Sequence, residues 1–297
     1  MKILARMKIR RYQRRLLIFV MVISAITAGL WRLYHRPVVN LTKPQAHPRS
    51  IVRLPGNRGR VEEQLPLGQT PSRIEPSVLH RRVAIIIDDI GNSRSSVEEL
   101  IKIDAPLTFA ILPFCPYSNS SAEEIHRARR EIILHLPMEP LSYPRANPGK
   151  GTLLVQMNKD ELIRQFEQDI DAVPYITGIN NHMGSRFMTD EESLKIIMGG
   201  ISKRHLFFID SRTTSDSKGE KVARMTGLPC LSRKIFIDNS QDYNATLNIL
   251  LNLASGNDPI LVIGHPYHST VLALKDALPR LKRSGVEIVS VSDLFLR

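Results

Sequence analysis

The stretch "RRVAIIIDDIGNS" (residues 81–93) runs five apolar residues, 83–87, into two adjacent carboxylates and then a glycine. An unbroken apolar run of this length reads as a strand buried on both faces, the kind found in parallel sheets covered by helices. Asp88 and Asp89 would repel each other at the end of such a strand. Something must hold them apart, or a positive charge must sit between them.

Further short apolar runs repeat the pattern: "LTFAIL" (107–112), "EIILHL" (131–136), "YITGIN" (175–180), "LFFID" (206–210), "PILVIG" (259–264), "VEIVSV" (286–291) and a weaker "LSRKIFID" (231–238). Amphipathic stretches at 93–103, 119–129, 158–172, 190–203, 216–226, 241–255 and 269–283 predict helices between them. Asn158 and Thr189 each precede acidic first turns, and Asn92 is placed to cap the first helix. Strands alternating with helices over about 216 residues predict one α/β domain, 82–297, built as a distorted (β/α) barrel of seven or eight strands.

In such a barrel the strand ends converge on one face. The first strand ends in Asp88-Asp89, the third carries His135, and the fourth runs into "INNHMGSR" with Asn181, His182 and Arg186. The fifth ends at Asp210 and Arg212, and the run 259–264 leads to His265. Carboxylates beside imidazoles make a divalent-metal site, whose charge removes the repulsion between Asp88 and Asp89. One Asp and two His with open positions suit zinc or a similar ion, and the second Asp is free to act as a general base.

The segments "IIIDDIG", "LHLPMEP", "NNHMGS", "FIDSRTT" and "VIGHP", in this order, resemble those of the divergent polysaccharide deacetylases. These belong to the wider glycoside hydrolase/deacetylase superfamily of metal-dependent enzymes. The resemblance covers 82–297 and implies Asp88 as general base and Asp89, His135 and His182 as metal ligands. It implies His265 as the acid that protonates the leaving amine. Asn181, Arg186, Asp210 and Arg212 are then supporting or substrate-binding residues. Well-characterised deacetylases take both metal histidines from one turn, four residues apart. Here Glu139, not histidine, stands four residues after His135, so Glu139 competes for the second ligand position. The implied activity is metal-dependent removal of N-acetyl groups from an acetylated envelope polymer or oligosaccharide. The missing histidine pair favours an alternative, a non-catalytic envelope binding or scaffold protein on the same barrel. An amidase or esterase acting on another substrate is a third reading.

The chain of 297 residues has a formal net charge of +12, but 14 of its 41 Lys and Arg lie in residues 1–61, which hold no carboxylate. The remainder carries 27 basic and 29 acidic residues, so the basic excess does not belong to the domain and no nucleic-acid partner is expected. Seven cations in 1–15 precede the uncharged run "LLIFVMVISAITAGLW" (16–31). This reads as a cytoplasmic arm and a membrane anchor over 16–34 that places the domain outside the cytoplasm. A cleaved signal peptide looks similar, but the run exceeds the usual ~7–15 residues of its apolar core. Residues 35–81 are Pro-rich without periodicity and read as a flexible linker. Cys115 and Cys230 lack metal-ligand spacing; they are either a disulfide or two free thiols.

Overall fold

Side chains on successive residues of a strand point to opposite faces, and this alternation explains how the chain builds two cores. The computed structural model describes residues 81–296. Nine strands appear there: β1 (Arg81–Ile90), β2 (Thr108–Ile111), β3 (Glu131–Met138), β4 (Ile176–Met183), β5 (Phe207–Asp210), β6 (Cys230–Ser232), β7 (Ile235–Phe236), β8 (Ile260–Gly264) and β9 (Val286–Val289). Helices fall between most of them: α1 (Arg94–Leu100), α2 (Ser118–Arg127), α3 (Lys159–Asp171), α4 (Glu191–Lys203), α5 (Gly219–Thr226), α6 (Tyr243–Asn252) and α7 (His268–Arg283).

All ladders are parallel, in the order β6-β5-β4-β3-β2-β1-β8-β7. β1 is the longest strand and forks: Arg81–Ala84 pairs with β9, and its later residues pair with β2. The sheet curls as a half-barrel of parallel strands. It departs from the expected barrel of seven or eight strands at one place. The run 231–238 is two short strands, because Arg233 and Lys234 leave the β5 edge and cross to β8. Among the described residues, β6 and β7 share no ladder, so the curl does not close.

The larger core lies between sheet and helices and includes Val83, Ile85 and Ile87 with Val97, Leu100 and Leu274. The smaller core fills the concave side and consists of strand residues and the C-terminal turn, among them Ala84, Ile86, Ala110, Ile133, Ile209, Leu261 and Ile263. Gly178 belongs to this inner side, where a Cβ would come within 2.2 Å of the Phe207 ring. Burial of apolar area on both faces of β1, at ~25 cal/mol per Å², is the main force holding it central.

Helix starts differ from expectation at two points. Asn158 does cap α3, in a full capping box with Glu161. The cap of α4 is Asp190 rather than Thr189, which lies in a preceding 3-10 turn. Ser93, not Asn92, occupies the cap position of α1. Among the described residues, no helix is long and apolar enough to cross a membrane; the expected anchor at 16–34 and the linker lie outside them. Cys115 and Cys230 are both free.

Candidate functional site

Continuing each inner row past the apolar core names the site. Ala84 and Ile86 lead to Asp88, Ile133 to His135, Gly178 to Asn180 and His182, and Leu261 and Ile263 to His265. Regular alternation would turn Asp89 outward. Instead, Asp89 adopts φ +58°, and the register of β1 against β2 slips between Ile87 and Ile90. Left-handed backbone at a non-glycine residue costs ~1–3 kcal/mol and is kept where surroundings enforce it. Gly91 follows at φ +123°, close under the Cys115 and Ser118 side chains. Both carboxylates therefore reach the same imidazole: His135 Nε2 lies 3.2 Å from Asp89 Oδ1 and 3.7 Å from Asp88 Oδ2.

His182 completes a triangle. Its Nδ1 is 3.1 Å from Asp89 Oδ1 and 3.0 Å from His135 Nε2. These edges match those between ligand atoms of a small divalent ion bonded at ~2.0–2.2 Å. Asp89 Oδ1 is buried and accepts no well-aligned hydrogen bond among the described residues. An oxygen left so, facing two imidazole nitrogens, fits a cation. Asp89, His135 and His182 are also the one group of three or more such side chains found with metal-ligand spacing among the described residues.

Asn180 sets the tautomer. Its Nδ2 donates to Asp88 Oδ1 at 2.8 Å and to Ser211 Oγ at 3.2 Å, so its Oδ1 accepts from His135 Nδ1 at 2.8 Å. With Nδ1 holding a hydrogen, the nitrogen that titrates is Nε2, which faces Asp89 and His182. Burial favours the neutral ring of His135, but the charges of Asp88 and Asp89 push its pKa up to about 9. Burial raises the carboxyl of Asp88 above its ordinary range against the pull of His135 and Asn180. Burial works the same way on Asp89, yet its two imidazole neighbours hold it well below that range.

His265 stands apart from this triangle, with its own carboxylate. Asp238 Oδ1 meets His265 Nδ1 at 3.0 Å, and Asp238 Oδ2 accepts from the His265 backbone N–H at 2.6 Å and from Thr270 Oγ1 at 2.8 Å. Although burial disfavours the charged ring, Asp238 raises its pKa, and Nε2 is the free end. Sequence reasoning missed Asp238 and the bridging role of Asn180. The signal was present: "KIFID" ends in Asp as "LFFID" does, and Asn180 lies two residues before His182 on one face of β4.

The other expected residues lie beside the cluster rather than in it. Glu139 lies outside the triangle, with its carboxylate turned to Arg186 Nη1 and the Val155 N–H, each at 2.7 Å. Arg186 is thereby engaged in an ion pair. Ile209 faces the inner side, so alternation puts Asp210 on the outer one. There Asp210 accepts from Ser217 Oγ at 2.6 Å and the Arg212 backbone N–H at 2.8 Å. Arg212 is exposed, and its carbonyl accepts from Arg233. Asn181 ties the end of β4 to the β5 exit, accepting from Ser211 N and donating to the Met183 carbonyl, both at 2.8 Å.

A curled parallel sheet thus carries an Asp-His-His triangle at its strand ends. The sequence profile of the divergent polysaccharide deacetylases matches residues 85–295, and the chain belongs to that family. The uncharacterised protein YibQ of Escherichia coli K12 is 32% identical over 221 residues, 73% of this chain and 68% of that one. An uncharacterised protein of Haemophilus influenzae is 28% identical over 222 residues, 74% of this chain and 78% of that one. A solved structure, an uncharacterised protein of Agrobacterium tumefaciens C58, shares the fold with a TM-score of 0.68 at 24% identity. The match covers 72% of this chain and 89% of that one.

Proposed function

We propose that the protein is a metal-dependent hydrolase that removes N-acetyl groups from an acetylated carbohydrate. The observation that carries this reading is the triangle of Asp89 Oδ1, His135 Nε2 and His182 Nδ1 with edges of 3.0–3.2 Å, set beside a separate buried carboxylate. A divalent cation held by these three side chains, zinc being well suited to the N,N,O set, supplies Lewis acidity toward an acyl carbonyl and a water. Asp88 takes the proton from the attacking water. Its raised carboxyl pKa brings it closer to the working range of a base, and Asn180 fixes its orientation. His265 delivers a proton from Nε2 to the departing amine, held by Asp238 at Nδ1. A pure binding module has no use for either arrangement. The basic and apolar N-terminal segments support an exported domain whose substrate lies in the envelope.

The test is metal content and acetate release by the purified protein, beside Asp89→Ala and His182→Ala. Near-stoichiometric zinc or a similar ion in the wild type, lost in both folded variants, and acetate from N-acetylated oligosaccharides are expected. A wild type that takes up no metal after reconstitution would end the proposal.

A further inference from the structure

Two tyrosines follow β2 and β8, the strands that pair with β1 nearest its Asp88-Asp89 end. Tyr117 lies on the exit from β2; its N–H donates to the Gly91 carbonyl at 2.9 Å, which pins it two residues beyond Asp89. It is 42% exposed. Tyr267 lies on the exit from β8, half-buried, with its ring 5.5 Å from that of His265 at 35°. Phe236 packs on His265 as well, also at 5.5 Å, and the Arg233 guanidinium covers Phe236 at 3.6 Å. Neighbouring strands are ~4.8 Å apart, so the roots of the two tyrosine loops lie about 10 Å apart across Asp89.

Both tyrosines also occupy a position that suits them badly. Tyr117 is the N-cap of α2 and Tyr267 the N-cap of α7, and neither makes a side-chain capping bond. Caps favour Ser, Thr, Asp or Asn, whose short side chains bond the free N–H groups; lacking one costs ~1 kcal/mol. In the same fold α3, α4 and α6 carry Asn158, Asp190 and Asp242, each accepting a backbone N–H. α1 and α5 also lack a side-chain capping bond, but among the described helices only α2 and α7 place an aromatic residue at the cap.

We propose that Tyr117 and Tyr267 are stacking platforms for two sugar rings on either side of the acetyl-bearing ring. Sugar rings present apolar C–H faces that lie flat on aromatic side chains, while their hydroxyls reach polar groups at the edge. The span across Asp89 exceeds one ring, so the ligand is a chain of at least three. The inference rests on the carbohydrate reading of the site.

The experiment titrates the full-length protein with N-acetylglucosamine and with its β-1,4-linked tetramer by calorimetry, with and without a metal chelator. Wild type binds the tetramer at least tenfold more tightly than the monomer. Tyr117→Ser and Tyr267→Ser each weaken tetramer binding about tenfold. Tyr→Phe at either position binds as wild type does, and Tyr→Leu, which keeps apolar bulk without a flat face, weakens binding as Ser does. The inference is overturned if the wild type does not prefer the tetramer, or binds neither sugar. It is also overturned if the Ser and Leu variants bind as wild type does. Tetramer binding without metal uptake or acetate release would keep the platforms and remove the hydrolase; metal and acetate release without tetramer preference would do the reverse.

Discussion

Asn180 joins Asp88 to His135 through a single amide, donating to the carboxylate and accepting from the ring, each at 2.8 Å. One side chain thus orients both the proposed base and a proposed ligand. Asn180→Leu, close in size, takes a hydrogen bond from three buried groups, Asp88 Oδ1, His135 Nδ1 and Ser211 Oγ. It is expected to weaken metal affinity about 10–100-fold and stability by ~1–3 kcal/mol. Zinc titration against a competing chelator, beside near-UV circular dichroism, measures both. Unchanged affinity in a folded variant would remove Asn180 from the site's support.

Asp238 holds His265 and makes no contact with the Asp89–His135–His182 triangle. Asp238→Asn keeps the shape but removes the charge that raises the His265 pKa. His265 must be protonated to act as an acid, so its basic limb marks the loss of that proton. In the variant the limb of the pH–rate profile for acetate release moves to lower pH, and the metal content stays at the wild-type value. A profile that does not move would assign the acid elsewhere.

Arg186 and Glu139 form a pair whose two ends differ: the Glu139 side chain is 5% exposed and that of Arg186 54%. Removing the cation leaves the buried carboxylate with the Val155 N–H as its remaining partner. Arg186→Ala is expected to lower stability by about 1–3 kcal/mol, less than for a fully buried pair. Glu139→Gln retains full metal loading. Metal loss in a folded Glu139→Gln protein would return Glu139 to the ligand set.

Asp169 predicts a pH dependence of stability remote from the chemistry. It is buried on α3; Gln165 donates to Oδ1, and Oδ2 has no partner among the described residues. Burial pushes its carboxyl up to about 8 against the Gln165 hydrogen bond, from an ordinary 3.8. Between those values the unfolded chain ionises while the folded one stays protonated. Stability is therefore full below pH ~4 and falls as pH rises toward about 8. Asp169→Asn removes this slope, with little effect at pH 4 and a gain on the order of a few kcal/mol at pH 8. Denaturant unfolding at the two pH values checks it; equal effects at both would contradict the assignment.

The strands and helices were legible because each strand is a short apolar run and each helix carries a polar face, patterns local to a few residues. The site was legible as far as the strand-end rule reaches, which named Asp88, Asp89, His135, His182 and His265. What escaped depends on pairings between distant segments. Asp238 matters through His265, 27 residues on, and Glu139 is claimed by Arg186, 47 residues on. Asp210 was drawn to the site by its place at a strand end, although the alternation set by Ile209 turns it away. The split of 231–238 reflects Arg233, whose guanidinium bonds the Ser211 and Arg212 carbonyls and so holds the crossing segment at the β5 exit.

The forked pairing of β1 bears on how the protein fails. β1 is laddered to β2, β8 and β9 and carries Asp88 and Asp89 at its end. A central strand with fully buried residues on both faces is released only with the whole domain, whereas loops and edges open at lower free energy. The amides of Ile85 and Ile86 are then among the last to exchange with solvent. The candidate site and the fold disappear in one event, so on the proposed function any metal binding left after heating counts surviving native molecules rather than grading partial damage.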